Sequence, residues 1–395
     1  MSESNYDKLV LLFMESHNAI IAREENEFNQ YIDRIAENGL VLFGAGGFGK
    51  RTLLGLRSLG IEPHCFTDNN QALWNRQIEE KIVISPSEAV KKYPEALFMV
   101  TIWSDVIGHP VNEIESLLQS FNSHISVVSF FSLYWKYPET FLPYFGIDLP
   151  HKTSFESGLI IQANNLWSDS ISRNEYLAQL RWRLWFDYNG LPQPESYKQY
   201  FPADLFRISP NEVFIDCGAF DGDTLKNFLT ESSEDFDCYI AFEPDPSNFS
   251  KLENAITKLD EKLKSKILTY KLALSDIAKK IKFKANGTLQ SSESFDGNLE
   301  VECVSLDDKF YEFKPTYIKI DAEGAEPEII EGAKKIIKDF SPIIALSVYH
   351  EYNHMWTLPL KIHEINKSYR YYLRPHCKAC WDLVCYAVPE SRIIQ

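Results

Sequence analysis

Two glycine-rich turns with different flanking charges could each hold a ligand. The first spans residues 44–49, reads GAGGFG, contains no acid and is followed by Lys50 and Arg51. The second spans residues 216–223, reads DCGAFDGD and carries three carboxylates. Glycine residues between a strand and a helix let backbone N–H groups approach a ligand. The sequence therefore predicts two sites that prefer ligands of opposite charge.

The acid-rich turn predicts a cationic ligand. Asp216, Asp221 and Asp223 would repel a phosphate at this range, whereas S-adenosylmethionine carries a sulfonium and an ammonium group. Glu243 ends the next predicted strand, where it could accept hydrogen bonds from both ribose hydroxyls. Asp216 and Asp223 could instead only cap the following helix, but capping accounts for one acid and not for three. We therefore predict an S-adenosylmethionine site here.

The first turn matches the G-x-G-x-x-G pattern of dinucleotide-binding folds. The glycines are Gly44, Gly46 and Gly49, and Asp68 lies about 24 residues beyond Gly44, where such folds place a ribose-binding acid. The pattern predicts a nucleotide or nucleotide-sugar site. Alternatively, the glycines only tighten the connection between a strand and a helix.

Three further polar residues follow predicted buried strands. Asp321 and Glu323 come directly after one apolar run, and His350 follows another. Because the carboxyl ends of parallel strands border the ligand crevice, each could orient an acceptor hydroxyl or take its proton. Glu326 is expected to be only a first-turn helix acid. These groups could also ligate Mg²⁺ or Mn²⁺, but no spacing requires it, and no metal site is predicted.

Alternating strands and helices must position both turns. They predict an α/β protein with two Rossmann-like units that contain parallel sheets. A helical connector with a capping box at residues 172–175 joins the units. The predicted boundaries are an N-terminal helical segment at 1–38, the first unit at 39–135, the connector at 136–200 and the second unit at 201–395.

Residues 211–388 resemble the FkbM family of S-adenosylmethionine-dependent methyltransferases. The resemblance is carried, in order, by residues 214–224, 241–249, 304–308 and 318–326, the last of which reads IKIDAEGAE. It implies the seven-stranded class I methyltransferase fold and methyl transfer to an oxygen of a small molecule, typically a sugar or polyketide. The predicted cofactor site comprises Asp216, Gly218, Ala219, Asp221, Gly222, Asp223, Thr224, Glu243 and, near the adenine, Ser275 and Asp276.

The first unit is similar to the Rossmann-like accessory domain at the C-terminus of some sugar C-methyltransferases. The similar segments are residues 44–49, 68–70 and 84–88. In those enzymes the domain helps to hold a nucleotide-linked sugar, and its order relative to the catalytic domain is the reverse of the order here. The resemblance implies that a nucleotide-linked sugar could be the acceptor.

Composition excludes several classes of partner. Lys and Arg number 40 against 56 Asp and Glu, a net charge of −16, which disfavours nucleic acid and anionic membranes. The apolar runs are too short to cross a bilayer, and the first residues lack the pattern of a secretory signal. Seven scattered cysteines are typical of reduced thiols. We therefore expect a cytoplasmic protein.

The sequence thus predicts an S-adenosylmethionine-dependent O-methyltransferase that acts on a small molecule. Two alternatives stay open. One is an NAD(P)-dependent or nucleotide-sugar-modifying enzyme that uses the first glycine turn, and the other is a non-catalytic binding protein with a degenerate methyltransferase fold.

Overall fold

The computed structural model describes residues 5–103, 110–187, 190–284, 292–293, 297, 299–377 and 381–394. The chain forms two compact units. Unit 1 comprises Met1–Ser157, Leu177–Pro192 and Cys377–Trp381, and unit 2 comprises Gly158–Tyr176, Gln193–His376 and Asp382–Gln395.

The predicted connector, residues 136–200, is divided between the units rather than set apart from them. Each part packs within its own unit. Trp182 packs edge-on against Phe131 in unit 1, whereas the hydroxyl oxygen of Ser172 accepts a hydrogen bond from the backbone N–H of Leu373 (2.9 Å) in unit 2.

Unit 1 is built on a six-stranded sheet with the order β3-β4-β2-β1-β5-β6, in which only β3 runs antiparallel to its neighbour. Its strands are β1 (Leu40–Phe43), β2 (Cys65–Thr67), β3 (Gln77–Ile78), β4 (Lys81–Ile84), β5 (Leu97–Val100) and β6 (Ser126–Ser129). Side chains alternate along β1, so that Leu40 and Leu42 pack on one face and Val41 and Phe43 on the other.

The helices of unit 1 cover both faces of this sheet, and the first three of them lie in the predicted N-terminal helical segment, residues 1–38. They are α1 (Asn5–Leu12), α2 (His17–Asn26), α3 (Asn29–Asn38), α4 (Gly47–Ser58), α5 (Pro86–Lys92), α6 (Pro110–Phe121), α7 (Phe130–Lys136), α8 (Pro138–Phe141) and α9 (Pro150–Phe155), with a short 3₁₀ helix at Gln71–Leu73.

Two helices follow, α10 (Ser157–Asn164) and α11 (Ser170–Trp185). The predicted capping box at residues 172–175 is wrong. Asp169 supplies the cap, because its Oδ1 accepts hydrogen bonds from the backbone N–H (2.7 Å) and the hydroxyl (2.6 Å) of Ser172. The cap therefore lies three residues before the predicted cap, Ser172, and the helix begins at Ser170.

Unit 2 contains a seven-stranded sheet with the order β16-β17-β15-β14-β7-β8-β9 and a four-stranded sheet with the order β10-β13-β11-β12. In the larger sheet only β17 runs antiparallel to its neighbours. The strands are β7 (Val213–Cys217), β8 (Cys238–Phe242), β9 (Ile267–Tyr270), β10 (Ala273–Leu274), β11 (Lys279–Lys284), β12 (Ser292–Glu293), β13 (Leu299–Val304), β14 (Tyr317–Ile320), β15 (Ile343–Ser347), β16 (Tyr369–Pro375) and β17 (Leu383–Pro389).

The helices of unit 2 connect the parallel strands. They are α12 (Asp223–Glu231), α13 (Pro246–Ile256), α14 (Glu261–Lys264), α15 (Leu306–Lys309), α16 (Glu326–Gly332), α17 (Lys334–Phe340) and α18 (His354–Ile365), with 3₁₀ helices at Tyr311–Phe313 and Glu390–Arg392. Two mainly parallel sheets with crossover helices confirm the predicted α/β class. None of the described helices is long and apolar enough to cross a membrane.

Candidate active site

The glycine turn between β7 and α12 needs its glycines. Gly218 and Gly222 have φ values of 86° and 92°, which side chains rarely adopt. A Cβ atom on Gly218 would lie 2.0 Å from the carbonyl oxygen of Asp321. The turn is therefore held directly against the chain that leaves β14, and any larger residue at 218 would push the two apart.

Glu243, the residue after β8, closes the side of this turn. Its Oε2 accepts a hydrogen bond from the backbone N–H of Phe220 (2.9 Å), and its Oε1 accepts one from Asp245 (2.8 Å). Burial raises the pKa of Glu243 to about 7 despite these two bonds. A fixed carboxylate thus borders the opening between β7 and β8.

An open cleft of about 410 Å³ lies at the carboxyl ends of β7, β8 and β14, which is large enough for a cofactor. The described residues that line it include no Lys or Arg but five carboxylates, from Glu243, Asp321, Glu323, Glu328 and Glu351. Its apolar part is lined by Phe220, Phe242, Leu272, Leu274, Ile281 and Phe283. The cleft therefore favours a ligand that combines a cationic group with an apolar ring.

Asp216 does not line this cleft, although the sequence predicts it in the cofactor site. Its side chain is fully buried, where Oδ2 accepts a hydrogen bond from the hydroxyl of Tyr239 and Oδ1 lies 3.1 Å from Nζ of Lys319. Lys319 also donates to the carbonyl of Gly218 (2.6 Å). Burial lowers the pKa of Lys319, but the charges of Asp216, Asp321 and Asp223 together raise it above its usual value, so the lysine stays charged. Asp216 thus holds the glycine turn in place through Lys319, from the buried side of the turn.

The other predicted cofactor residues divide into two groups. Gly218, Glu243 and Ser275 line the cleft. Ala219, Asp221, Gly222, Asp223, Thr224 and Asp276 are not among its lining residues. Asp223 is exposed, and its Oδ1 accepts from the backbone N–H of Thr224 (2.7 Å), whereas Asp276 accepts from the hydroxyl of Ser275 (3.0 Å). The negative charge at the cleft therefore comes largely from residues outside the glycine turn.

Glu326 has more contacts than a first-turn helix acid needs. It is completely buried, and its Oε1 accepts hydrogen bonds from the backbone N–H groups of Ala322 (2.9 Å) and Gly324 (3.4 Å). Between them, Glu323 has a φ of 49°, which belongs to the left-handed region. Glu326 thereby fixes the turn that presents Asp321 and Glu323 to the cleft.

The ring of His350 lies among three carboxylates. Nδ1 is 2.8 Å from Oε1 of Glu326, and Nε2 is 3.4 Å from Oδ1 of Asp321 and 3.7 Å from Oε1 of Glu323. Burial lowers the pKa of His350, but Glu326 and the other two acids raise it to about 10. Burial raises the pKa of Glu323 to about 7, whereas the charges of His350 and His354 overcome burial and lower that of Glu326 to about 2. The structure thus brings together the three predicted catalytic residues.

Sequence reasoning missed two residues at this site. Tyr200, far from the motifs in sequence, donates its hydroxyl to Oδ2 of Asp321 (2.8 Å). Lys319 lies in the middle of an otherwise apolar strand, and a lysine in such a run is a signal that could have been used. No local pattern distinguishes Tyr200.

The glycine turn of unit 1 is held by close contacts within the turn and by hydrogen bonds to Asp68. Gly44 has a φ of 115°, and a Cβ on Gly49 would lie 1.9 Å from the carbonyl oxygen of Gly44, whereas one on Gly46 would meet no atom within 4 Å. Asp68 accepts hydrogen bonds from the backbone N–H groups of Ala45 and Asn70, both 2.8 Å. The predicted ribose-binding acid therefore already holds the turn.

Residues 216–373 match the model of the methyltransferase FkbM domain. No curated protein matches the sequence.

Among solved structures, the crystal structure of a methyltransferase FkbM from Methylobacillus flagellatus KT is similar along nearly all of both chains. The match has a TM-score of 0.75 and 21% identity, and covers 94% of this chain and 99% of that chain. It shows a shared fold.

Two further solved structures match about half of this chain, both with low TM-scores. A putative rRNA methylase from Clostridium thermocellum has a TM-score of 0.30, 13% identity and coverage of 47% of this chain and 90% of that one. A fibrillarin from Aeropyrum pernix, in complex with natively bound S-adenosyl-L-methionine, has a TM-score of 0.28, 9% identity and coverage of 46% and 69%.

Proposed function

We propose that unit 2 transfers a methyl group from S-adenosylmethionine to a hydroxyl of a small molecule of the sugar class. Residues 216–373 match the methyltransferase FkbM domain, as the sequence predicts. The observation that carries the proposal is the cleft at the ends of β7, β8 and β14, which combines five carboxylates with an apolar wall.

The donor has two features that the cleft matches. Its sulfonium and ammonium charges are attracted by the carboxylates of Asp321, Glu323 and Glu351. Its adenine ring can bury apolar surface against Phe220 and the residues of the smaller sheet. We assign the ribose hydroxyls to Glu243, because its carboxylate borders the cleft and is fixed by two backbone N–H groups.

Methyl transfer is an in-line displacement at the methyl carbon. The acceptor oxygen forms a bond to that carbon while the carbon–sulfur bond breaks, and the electron pair of the broken bond stays on sulfur as a neutral thioether. The hydroxyl proton leaves to a carboxylate. The protein contributes alignment of the two reactants, a proton acceptor and exclusion of water.

The three predicted catalytic residues receive different roles in this proposal. Asp321 and Glu323 line the cleft, so they can orient the acceptor hydroxyl and take its proton. His350 is buried behind them and does not line the cleft, so it positions the two carboxylates rather than touching the acceptor.

We further propose that the glycine turn of unit 1 holds a nucleotide or a nucleotide-linked sugar. The support is the open space at Gly46, the first residue before α4, and the positive end of that helix. Replacing Gly46 with Asp would bring a negative charge to this point and should weaken the binding of a nucleotide-linked sugar while leaving donor affinity unchanged.

The test uses the full chain with isotopically labelled S-adenosylmethionine and a panel of free and nucleotide-linked sugars. We expect donor binding in calorimetry and a labelled methyl group on an acceptor oxygen by mass spectrometry. Absence of donor binding at millimolar concentration would favour a non-catalytic binding protein. Tight binding of NAD(P)H at the turn after β7 would favour a redox enzyme, and either result overturns the proposal.

A further inference from the structure

We propose that Asp321, Glu323 and His350 form a binding site for an octahedral divalent cation of the Mn²⁺ or Mg²⁺ class, with Glu326 as its supporting acid. The inference rests on the proposed function, since the site opens into the same cleft. The sequence patterns, by contrast, predict no metal site.

The arrangement of ligand atoms fits such a cation. Nε2 of His350 faces Oδ1 of Asp321 at 3.4 Å and Oε1 of Glu323 at 3.7 Å. Adjacent ligands of an octahedral ion with bonds of about 2.1 Å are separated by about 3 Å. One ligand atom from each of Asp321, Glu326 and His350 lies within 4.8 Å of the other two, so the supporting acid belongs to the same cluster as two of the ligands. Rotation of the partly exposed side chains of Asp321 and Glu323 would bring their oxygens to the octahedral spacing.

An unsatisfied nitrogen points into this cluster. His350 is only 3% exposed, and its Nε2 makes no hydrogen bond with any described residue. Two carboxylate oxygens nevertheless face it. A buried polar atom without a partner is costly, and a cation at this position would satisfy the nitrogen and both oxygens at once.

Glu326 supplies the support that a metal-bound histidine requires. Its Oε1 lies 2.8 Å from Nδ1 of His350, so that Nδ1 carries the proton and Nε2 can present a lone pair. Histidines that ligate metals generally donate their second ring N–H to a carboxylate or carbonyl in this way. Because imidazole coordinates only in its neutral form, the bound cation replaces a proton on Nε2.

The type of ligand selects the class of cation. Two carboxylates and one imidazole suit a hard or borderline ion, and no described cysteine belongs to the cluster. Asp321 and Glu323 also line the cleft, so positions of the cation opposite the protein ligands would face the acceptor. A cation there would bind the acceptor hydroxyl and polarise it beside the donor methyl group.

The first experiment titrates chelator-treated full-length protein with Mn²⁺ and follows free Mn²⁺ by electron paramagnetic resonance. We expect one tight site per chain. Glu323→Gln should weaken binding by about 100-fold, whereas Glu328→Gln, which removes a charge from the same cleft outside the cluster, should change it by less than about threefold. No binding, or an equal loss in the two variants, would overturn the proposal, because general charge attraction would then account for the result.

The second experiment identifies the nitrogen ligand. Pulsed electron paramagnetic resonance of bound Mn²⁺ should show coupling to one ¹⁴N nucleus, and His350→Gln should remove it. Bound Mn²⁺ without nitrogen coupling in the wild-type protein would overturn the proposed ligand set. Since Glu323 is partly exposed, its variant tests the site even where the buried histidine cannot be replaced.

Separate measurement of donor binding distinguishes this inference from the proposed function. Unchanged methyl transfer in protein that binds no Mn²⁺ would reject the cation site alone. Mn²⁺ binding with nitrogen coupling, in a protein that binds no S-adenosylmethionine, would reject the methyltransferase proposal and leave the cation site in place.

Discussion

The glycine turns of the two units are held by the same device. In unit 1 the turn follows β1, and the acid after β2, Asp68, accepts from the backbone N–H of Ala45 (2.8 Å). In unit 2 the turn follows β7, and the acid after β8, Glu243, accepts from Phe220 (2.9 Å). Two sequences with little similarity thus reach one solution to fixing a turn beside a parallel sheet.

The units differ at the strand on the other side of the turn. After β5, Thr101 donates its hydroxyl to the carbonyl of Gly44 (2.9 Å). In unit 2, Lys319, which lies within β14, donates to the carbonyl of Gly218 (2.6 Å), and the place that matches Thr101, directly after the strand, is taken by Asp321. The comparison teaches that the shared scaffold sets the shape of a turn, while the residues after the neighbouring strand set its chemistry.

Replacing the acid after β14 should have the largest effect. Asp321→Asn removes a proton acceptor and should lower kcat by about 10² to 10⁴-fold, while the affinity for S-adenosylmethionine falls much less, because the other four carboxylates of the cleft remain. Steady-state kinetics and calorimetry measure the two quantities. Thr101→Val, at the matching position of unit 1, is the control and should leave kcat unchanged. An equal loss of kcat in both variants would break the assignment of chemistry to unit 2.

Replacing the cation beside the turn should have the next largest effect, this time on stability. Lys319→Met leaves the buried carboxylate of Asp216 without its cation and should lower the free energy of unfolding of unit 2 by about 3–5 kcal/mol. Thr101→Val removes a neutral hydrogen-bond donor in unit 1 and should cost about 1 kcal/mol. Urea unfolding compares them, and a Lys319 variant as stable as the threonine variant would contradict a buried charge pair.

Replacing the acid that holds each turn, Glu243 after β8 or Asp68 after β2, should show which of the two turns binds the donor. Glu243→Gln keeps the size of the side chain but loses the charged acceptor, and should weaken S-adenosylmethionine binding by about tenfold, equal to about 1.4 kcal/mol. Asp68→Asn should leave donor affinity unchanged. Calorimetry measures both. A greater loss of donor affinity in the Asp68 variant would indicate that the donor binds at the turn of unit 1 and not at the turn of unit 2.

The smallest expected effect is a dependence of donor affinity on pH. Burial raises the pKa of Glu243 to about 7, with Asp245 adding to the shift and Lys319 opposing it. Because ribose hydroxyls donate better to the ionised carboxylate, binding favours that form. Affinity should therefore be full above pH 7 and fall by several-fold, at most about tenfold per pH unit, below it. Glu243→Gln should flatten the profile, and an unchanged slope in that variant would place the titrating group elsewhere.

Much of the scaffold and part of the site could be predicted from local patterns. Apolar runs of four or five residues between helices predict both parallel sheets, and the glycines of residues 44–49 and 218–222 predict the turns, because a conformation with positive φ leaves few alternatives to glycine. The acids after β8 and β14 are predicted to border the crevice, and Glu243, Asp321 and Glu323 do line the cleft.

What each acid faces was decided only by the tertiary structure. Asp216 pairs with Lys319 because β14 lies beside β7 and the register sets these two residues opposite each other. The carboxylate therefore turns inward, although the local sequence placed it with the cofactor acids. Glu326, at the start of α16, and His350, in the segment that follows β15, also meet only in the folded chain. Sequence fixes the alternation of side chains along a strand, but the order of strands, which selects their partners, depends on the packing of the whole sheet.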